Sequence, residues 1–118
     1  MVTPDCEIYA LKYAGPFVRP APMILWFQDL ERTISVNYYI FVIRGGSETI
    51  VVDCGVSPQL AVARNLFGYV SPAEVLRRID IEAAKVRHVI ATHIHFDHVS
   101  GISLFPHATV YLQEKEYA

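Results

Sequence analysis

Cysteine is scarce in this chain: Cys6 and Cys54 are the only two in 118 residues. Two thiols exclude a dense disulfide framework, and the paired spacing of a zinc finger is absent. A reduced, cytoplasmic setting is therefore expected. Charge of one sign is scarce as well. Ten Lys and Arg face twelve Asp and Glu, for a formal net charge of -2, and no basic stripe offers a footprint for nucleic acid. No apolar run approaches the roughly 20 residues of a membrane span; "PMILWF" is far too short. The start, "MVTPDCEIYALKYAGPF", has no basic region leading into a long apolar one, so no signal peptide is expected. Internal repeats, low-complexity tracts and linkers are missing too. Hydrophobic residues at 53% against charged residues at 19% exclude disorder by composition. That balance suits one small domain with a modest core and leaves room for a buried partner surface.

What is present reads as alternating strands and short helices. "EIYALKYA" has strand-like alternation. Pro16, Pro20 and Pro22 argue against regular structure at the start of the following "GPFVRPAPMILWFQDLERT", whose apolar end, residues 23–27, suits core, a lid or a dimer contact. Residues 36–44 and 49–53 are rich in β-branched and aromatic side chains, with "GGS" between them, and predict a β-hairpin. Ser57-Pro58 starts a short helix through Leu66, ended by Gly68. Ser71, Pro72 and Glu74 approximate a capping box for a helix to about Ile79. A strand over 86–92, a short helix over 97–103, a strand in "ATVYLQ" and the beginning of a helix in "EKEYA" complete the pattern.

The densest chemistry lies in "VIATHIHFDHVSG", where three histidines and an aspartate follow an apolar strand. Neutral imidazole is the commonest protein metal ligand, and carboxylates suit the same divalent ions. His93 and His95 are two apart, so in extended geometry their side chains share one side and reach one ion. Asp97 and His98 are adjacent at a helix start and point in different directions, which suits a second ion close to the first. Two ions roughly 3.5–4 Å apart can clamp a developing oxyanion. The rival reading is a His-rich surface tract, but the apolar run before the cluster argues against it. Leaving four such groups buried without a partner would also be costly.

"THIHFDHVSG" resembles the signature loop of the metallo-β-lactamase fold hydrolases. The resemblance runs back through "TIVVDCG", similar to the strand that ends in Asp-x-Gly, and on through "FPHATVYLQEKEY". It covers the chain from about Ser35. Within that superfamily the chain looks nearest to N-acyl homoserine lactonase-like proteins, while glyoxalase II-type thioesterases share the same loop. The resemblance implies an α+β chain forming half of an αβ/βα sandwich, a mixed sheet with helices on one face. It implies a metal-dependent hydrolase in which a metal-bridging hydroxide attacks a lactone or ester-like carbonyl of a small molecule. His93 and His95 would ligate the first ion, and Asp97 and His98 the second. Asp97 would also move a proton to the leaving group. Asp53 would brace the histidine loop from behind or simply cap the strand end. His95, where the diiron flavoprotein branch has Glu, argues for zinc, with iron or manganese as alternatives. His88 and His107 fall outside the pattern, and Cys54 reads as a small packed residue rather than a nucleophile. The apolar segment 17–30, with Trp26 and Phe27, suits an acyl chain or plain core packing.

The chain departs from the family in extent. The resemblance covers the N-terminal half of the family's domain, so residues 1–118 are expected to be that half, with the remaining ligands in a second half. Each ion would find two ligands here, short of the three plus water of a catalytic zinc. The chain by itself is then expected to be inactive and to expose an apolar patch. Assembly of two copies into one sandwich is the alternative. Same-fold thioesterase, β-lactamase-like or phosphoester chemistry, and a non-catalytic fragment binding metal weakly, are the rival functions.

Overall fold

The computed structural model describes residues 5–28 and 30–117. Five strands form one mixed sheet in sequence order: β1 (Cys6–Pro20), β2 (Thr33–Gly45), β3 (Glu48–Val52), β4 (His88–Ala91) and β5 (Thr109–Leu112). The first three are antiparallel neighbours, while β3, β4 and β5 run parallel. Parallel neighbours need crossovers. The β3–β4 crossover carries α1 (Pro58–Ala63) and α2 (Pro72–Arg77). The β4–β5 crossover carries α3 (Phe96–Val99) and the 3-10 turn Ser100–Leu104, and α4 (Glu114–Tyr117) follows β5.

Strand register divides the apolar residues between two faces. Val42, Val51, Val89 and Val110 line up across four strands. The first three are fully buried, in one core with Val56, Ala61, Val75 and Leu76 from the helical crossover. One residue along, Phe41, Val52, Ile90 and Tyr111 form the parallel row. Because side chains alternate across a strand, this row faces the other way, and Phe41, Ile90 and Tyr111 are exposed.

The predicted hairpin forms, with Gly46 at φ 59° in its tight turn. Ser57 caps α1, its Oγ accepting from the Leu60 N–H at 3.2 Å, but the helix ends at Ala63, earlier than the expected Leu66. Ser71 forms no side-chain cap; only its carbonyl receives the Glu74 and Val75 N–H groups, so the capping box is not made. The largest departure is β1, which continues through Pro16 to Pro20 with register shifts between Lys12 and Phe17. β1 is an edge strand, where proline's missing N–H costs no ladder bond. Since Phe41 pairs with Val52, residues 33–40 of β2 run past the end of β3, an overhang of roughly 25 Å at about 3.3 Å per residue. The segment beyond it is not core: Trp26 and Phe27 are 84% and 74% exposed and packed edge to face on each other.

Candidate metal centre

The site sits where β3 and β4 end side by side. Asp53 follows β3 with φ at 67°, a left-handed conformation that Asp tolerates better than most residues. Its N–H donates to the Ile90 carbonyl at 2.8 Å, and the turn tucks the carboxylate under the loop after β4. There it is almost fully buried and densely partnered. Oδ1 accepts from the Thr92 N–H and hydroxyl, each at 2.9 Å, and Oδ2 lies 2.7 Å from His98 Nδ1.

α3 presents Asp97 and His98 from the other side. A single turn of helix is too short to hold itself, and it is fastened at several points. The Cys54 N–H donates to the His98 carbonyl at 2.7 Å, the Gly101 N–H to the Gly55 carbonyl at 2.9 Å, and the Tyr13 hydroxyl to the Asp97 carbonyl at 2.7 Å. A Cβ on Gly101 would lie 2.3 Å from the Cys54 carbonyl oxygen, so this approach requires glycine.

The four expected side chains lie in a row of pairwise contacts. His93 packs between His95 and His98, with ring centroids at 4.6 and 4.0 Å. Thr92 Oγ1 lies 2.9 Å from His93 Nδ1, so that hydroxyl engages one of the two ring nitrogens. With His98 Nδ1 at Asp53, its Nε2 faces Asp97 Oδ2 at 3.4 Å. Two ligand atoms each about 2.0–2.1 Å from a tetrahedral zinc lie roughly 3.3 Å apart, so this pair has the span of two ligands on one ion. Among the described residues, no three or more His, Cys, Asp or Glu side chains are grouped to hold a metal ion. The Asp97–His98 pair thus fits a divalent ion as a partial shell.

The other candidates lie apart. His88 points from the exposed sheet face, its Nδ1 3.1 Å from the Tyr111 hydroxyl and its Nε2 3.5 Å from Glu48. His107 is exposed in the turn before β5. Cys54 is buried, and desolvation, with the neighbouring Asp53 charge, pushes its thiol up to about 12, the opposite of an activated nucleophile. Sequence reasoning missed Thr92 and Tyr13. A hydroxyl directly before His93 was a legible hint of the first. Nothing local signals Tyr13, which lies 84 residues from its partner.

A mixed sheet covered by helices on one face, with a His-x-His-x-Asp-His loop at the carboxyl ends of its parallel strands, defines a hydrolase fold of the metallo-β-lactamase kind. Residues 34–117 match the family model of the metallo-beta-lactamase superfamily, and the chain belongs to that superfamily. The acyl-coenzyme A thioesterase MBLAC2 of Gallus gallus is 29% identical over 91 residues, covering 77% of this chain and 31% of the thioesterase. The N-acyl homoserine lactonase AttM of Azorhizobium caulinodans is 38% identical over 42 residues, 36% of this chain and 16% of the lactonase. Among solved structures, Bacillus thuringiensis AiiA with N-decanoyl-L-homoserine bound superposes with a TM-score of 0.75 at 16% identity, covering 98% of this chain and 51% of that one. The dizinc quorum-quenching lactonase AidC gives 0.66 at 18%, covering 99% and 45%. At such identities the structural likeness speaks of the fold alone. The chain spans about a third or less of these curated relatives and about half of the solved chains. No helix among the described residues is long and apolar enough to cross a membrane.

Proposed function

We propose that residues 1–118 are the N-terminal half of a cytoplasmic metallohydrolase domain that cleaves a lactone or ester-like carbonyl. His93 and His95 would hold one divalent ion, and Asp97 and His98 a second, with the remaining ligands supplied by the rest of the protein. Zinc suits this imidazole and carboxylate set, with iron or manganese as alternatives. The observation that carries the reading is the Asp53–His98–Asp97 line. A buried carboxylate holds Nδ1, and Nε2 is left facing Asp97 at ligand-to-ligand distance. Divalent ions at such a site supply Lewis acidity, polarising a carbonyl and acidifying water. Asp97 carries a proton to the leaving group, and Asp53 and Thr92 keep the imidazoles in the tautomer that exposes Nε2. With two ligands per ion, the chain by itself binds metal weakly and does not turn over.

A thioester substrate is the second reading, favoured by one observation: the thioesterase relative aligns over 77% of the chain, the lactonase over 36%. Elemental analysis of the full-length protein tests the site. His93→Ala and His95→Ala should remove mainly one ion, and Asp97→Ala and His98→Ala mainly the other. Full occupancy in all four variants would remove the assignment. Assaying that protein on an acyl-homoserine lactone and an acyl-coenzyme A then separates the two substrate classes.

A further inference from the structure

The Tyr13 side chain reaches the metal loop from the far edge of the sheet. Lys12 pairs with Tyr39 and Ala14 with Tyr38, while β3 stops opposite Phe41. Tyr13 therefore lies just past the end of β3, level with the turn carrying Asp53. The irregularity in β1 between Lys12 and Ala14 is held by the Val70 N–H donating to the Tyr13 carbonyl at 2.8 Å. The ring is buried, tilted against Tyr38 at 6.0 Å and edge-on to Tyr69 at 6.3 Å. It passes under Gly55, where an added Cβ would stand 3.3 Å from the ring. At the end of this path the hydroxyl donates to the Asp97 carbonyl at 2.7 Å.

We infer that Tyr13 is a positioning residue for the Asp97–His98 half of the centre, an inference that rests on the two-ion reading above. α3 is a single turn, so its pose depends on what grips it. Two consecutive carbonyls are gripped, Asp97 by Tyr13 and His98 by the Cys54 N–H. Together they fix the backbone from which both ligand side chains project. His93 precedes α3, and His95 is joined to it through its carbonyl, which accepts the His98 and Val99 N–H groups, so that pair feels the grip less directly. Removing the Tyr13 hydroxyl leaves the Asp97 carbonyl without this partner and the turn held by its Cys54, Gly101 and Asp53 contacts alone.

The test is metal titration of the full-length protein, wild type against Tyr13→Phe, with Asp97→Ala identifying which binding step belongs to this half. Tyr69→Phe is the matched control, because Tyr69 lies in the same cluster and its hydroxyl donates to the Val56 carbonyl at 2.7 Å. In Tyr13→Phe the ion assigned to Asp97 and His98 should bind roughly tenfold more weakly, while the ion at His93 and His95 shifts less than about twofold. Tyr69→Phe should lower thermal stability without separating the two steps. Equal weakening of both ions in Tyr13→Phe, or of neither, overturns the inference and leaves the two-ion reading standing. A wild-type protein that binds no ion removes both. Should Tyr13→Phe not fold, wild-type protein carrying 3-fluorotyrosine gives the second measurement. The Tyr13 fluorine resonance should move as the Asp97–His98 ion is added, and a stationary resonance overturns the inference.

Discussion

Asp53 concentrates most of the local organisation in a single side chain. It is buried, takes an unusual φ for a residue with a side chain, and receives the Thr92 N–H, the Thr92 hydroxyl and His98 Nδ1. Deleting the carboxylate strands these buried donors, which costs about 1–3 kcal/mol. Asp53→Ala should therefore lower the urea midpoint with little change in slope, and an unchanged midpoint would show that the brace carries no energy. Cys54, its neighbour, gives a prediction in pH. Its thiol is raised from 9.0 to about 12, so the folded state keeps a proton that the unfolded chain releases above pH 9. Stability from this group is complete below that pH and falls as pH rises towards 12. Tyr13, also raised from its ordinary value, adds a loss of the same sign at higher pH. Iodoacetamide near pH 8 should modify exposed Cys6 and spare Cys54. Equal labelling of both would contradict the burial that sets the shift.

Among the elements, α3 and the turn after it depend most on close approach. Gly101 sits against the backbone of Cys54 and Gly55 while its N–H donates to Gly55. Gly101→Ala would force the α3 turn away from the Asp53 loop, a destabilisation of roughly 2–4 kcal/mol that should appear as a fall in thermal midpoint. A wild-type midpoint would mean that the two loops separate freely. The β2–β3 hairpin was legible because its period-2 pattern and glycine turn are local signals. β1 beyond Gly15 was not, because proline is read as a breaker and only the sheet order reveals that this strand lies at an edge. The α2 start looked like a capping box, yet the Ser71 side chain takes no part. Residue types made the bond available, but the Ser71 carbonyl receives the Glu74 and Val75 N–H groups in its place.

For the whole molecule, one sheet face is buried and the other is bare. Ile90 and Tyr111 line an open cleft of about 730 Å³ with Ile50 and His88, Phe41 is exposed in the same cross-strand row, and Trp26 and Phe27 are exposed separately at the tip of the β1–β2 overhang. Exposed apolar area of this kind promotes association. The 118-residue chain on its own should therefore elute above its monomer mass, and Phe41→Lys with Ile90→Lys should return it towards a monomer. A monodisperse wild-type monomer in light scattering would show that the face tolerates water.

His93, His95, Asp97 and His98 could be singled out from sequence because they fall within six consecutive residues, where local geometry, a strand end and one helical turn, sets their neighbours. The same holds for the hairpin and the strand feeding the loop. Which apolar row would be buried could not be read that way. Val51 and Val52, or Val89 and Ile90, are neighbours of nearly equal hydrophobicity, so alternation alone does not name the inner face. The crossover helices decide it by covering only the row of Val42, Val51 and Val89. The grip on the loop was likewise beyond the sequence. Asp53 meets His98 across 45 positions, and Tyr13 meets Asp97 across 84. Contacts that distant are set by sheet order and register, because the order β1 to β5 and the overhang past β3 bring those side chains to one end of the fold.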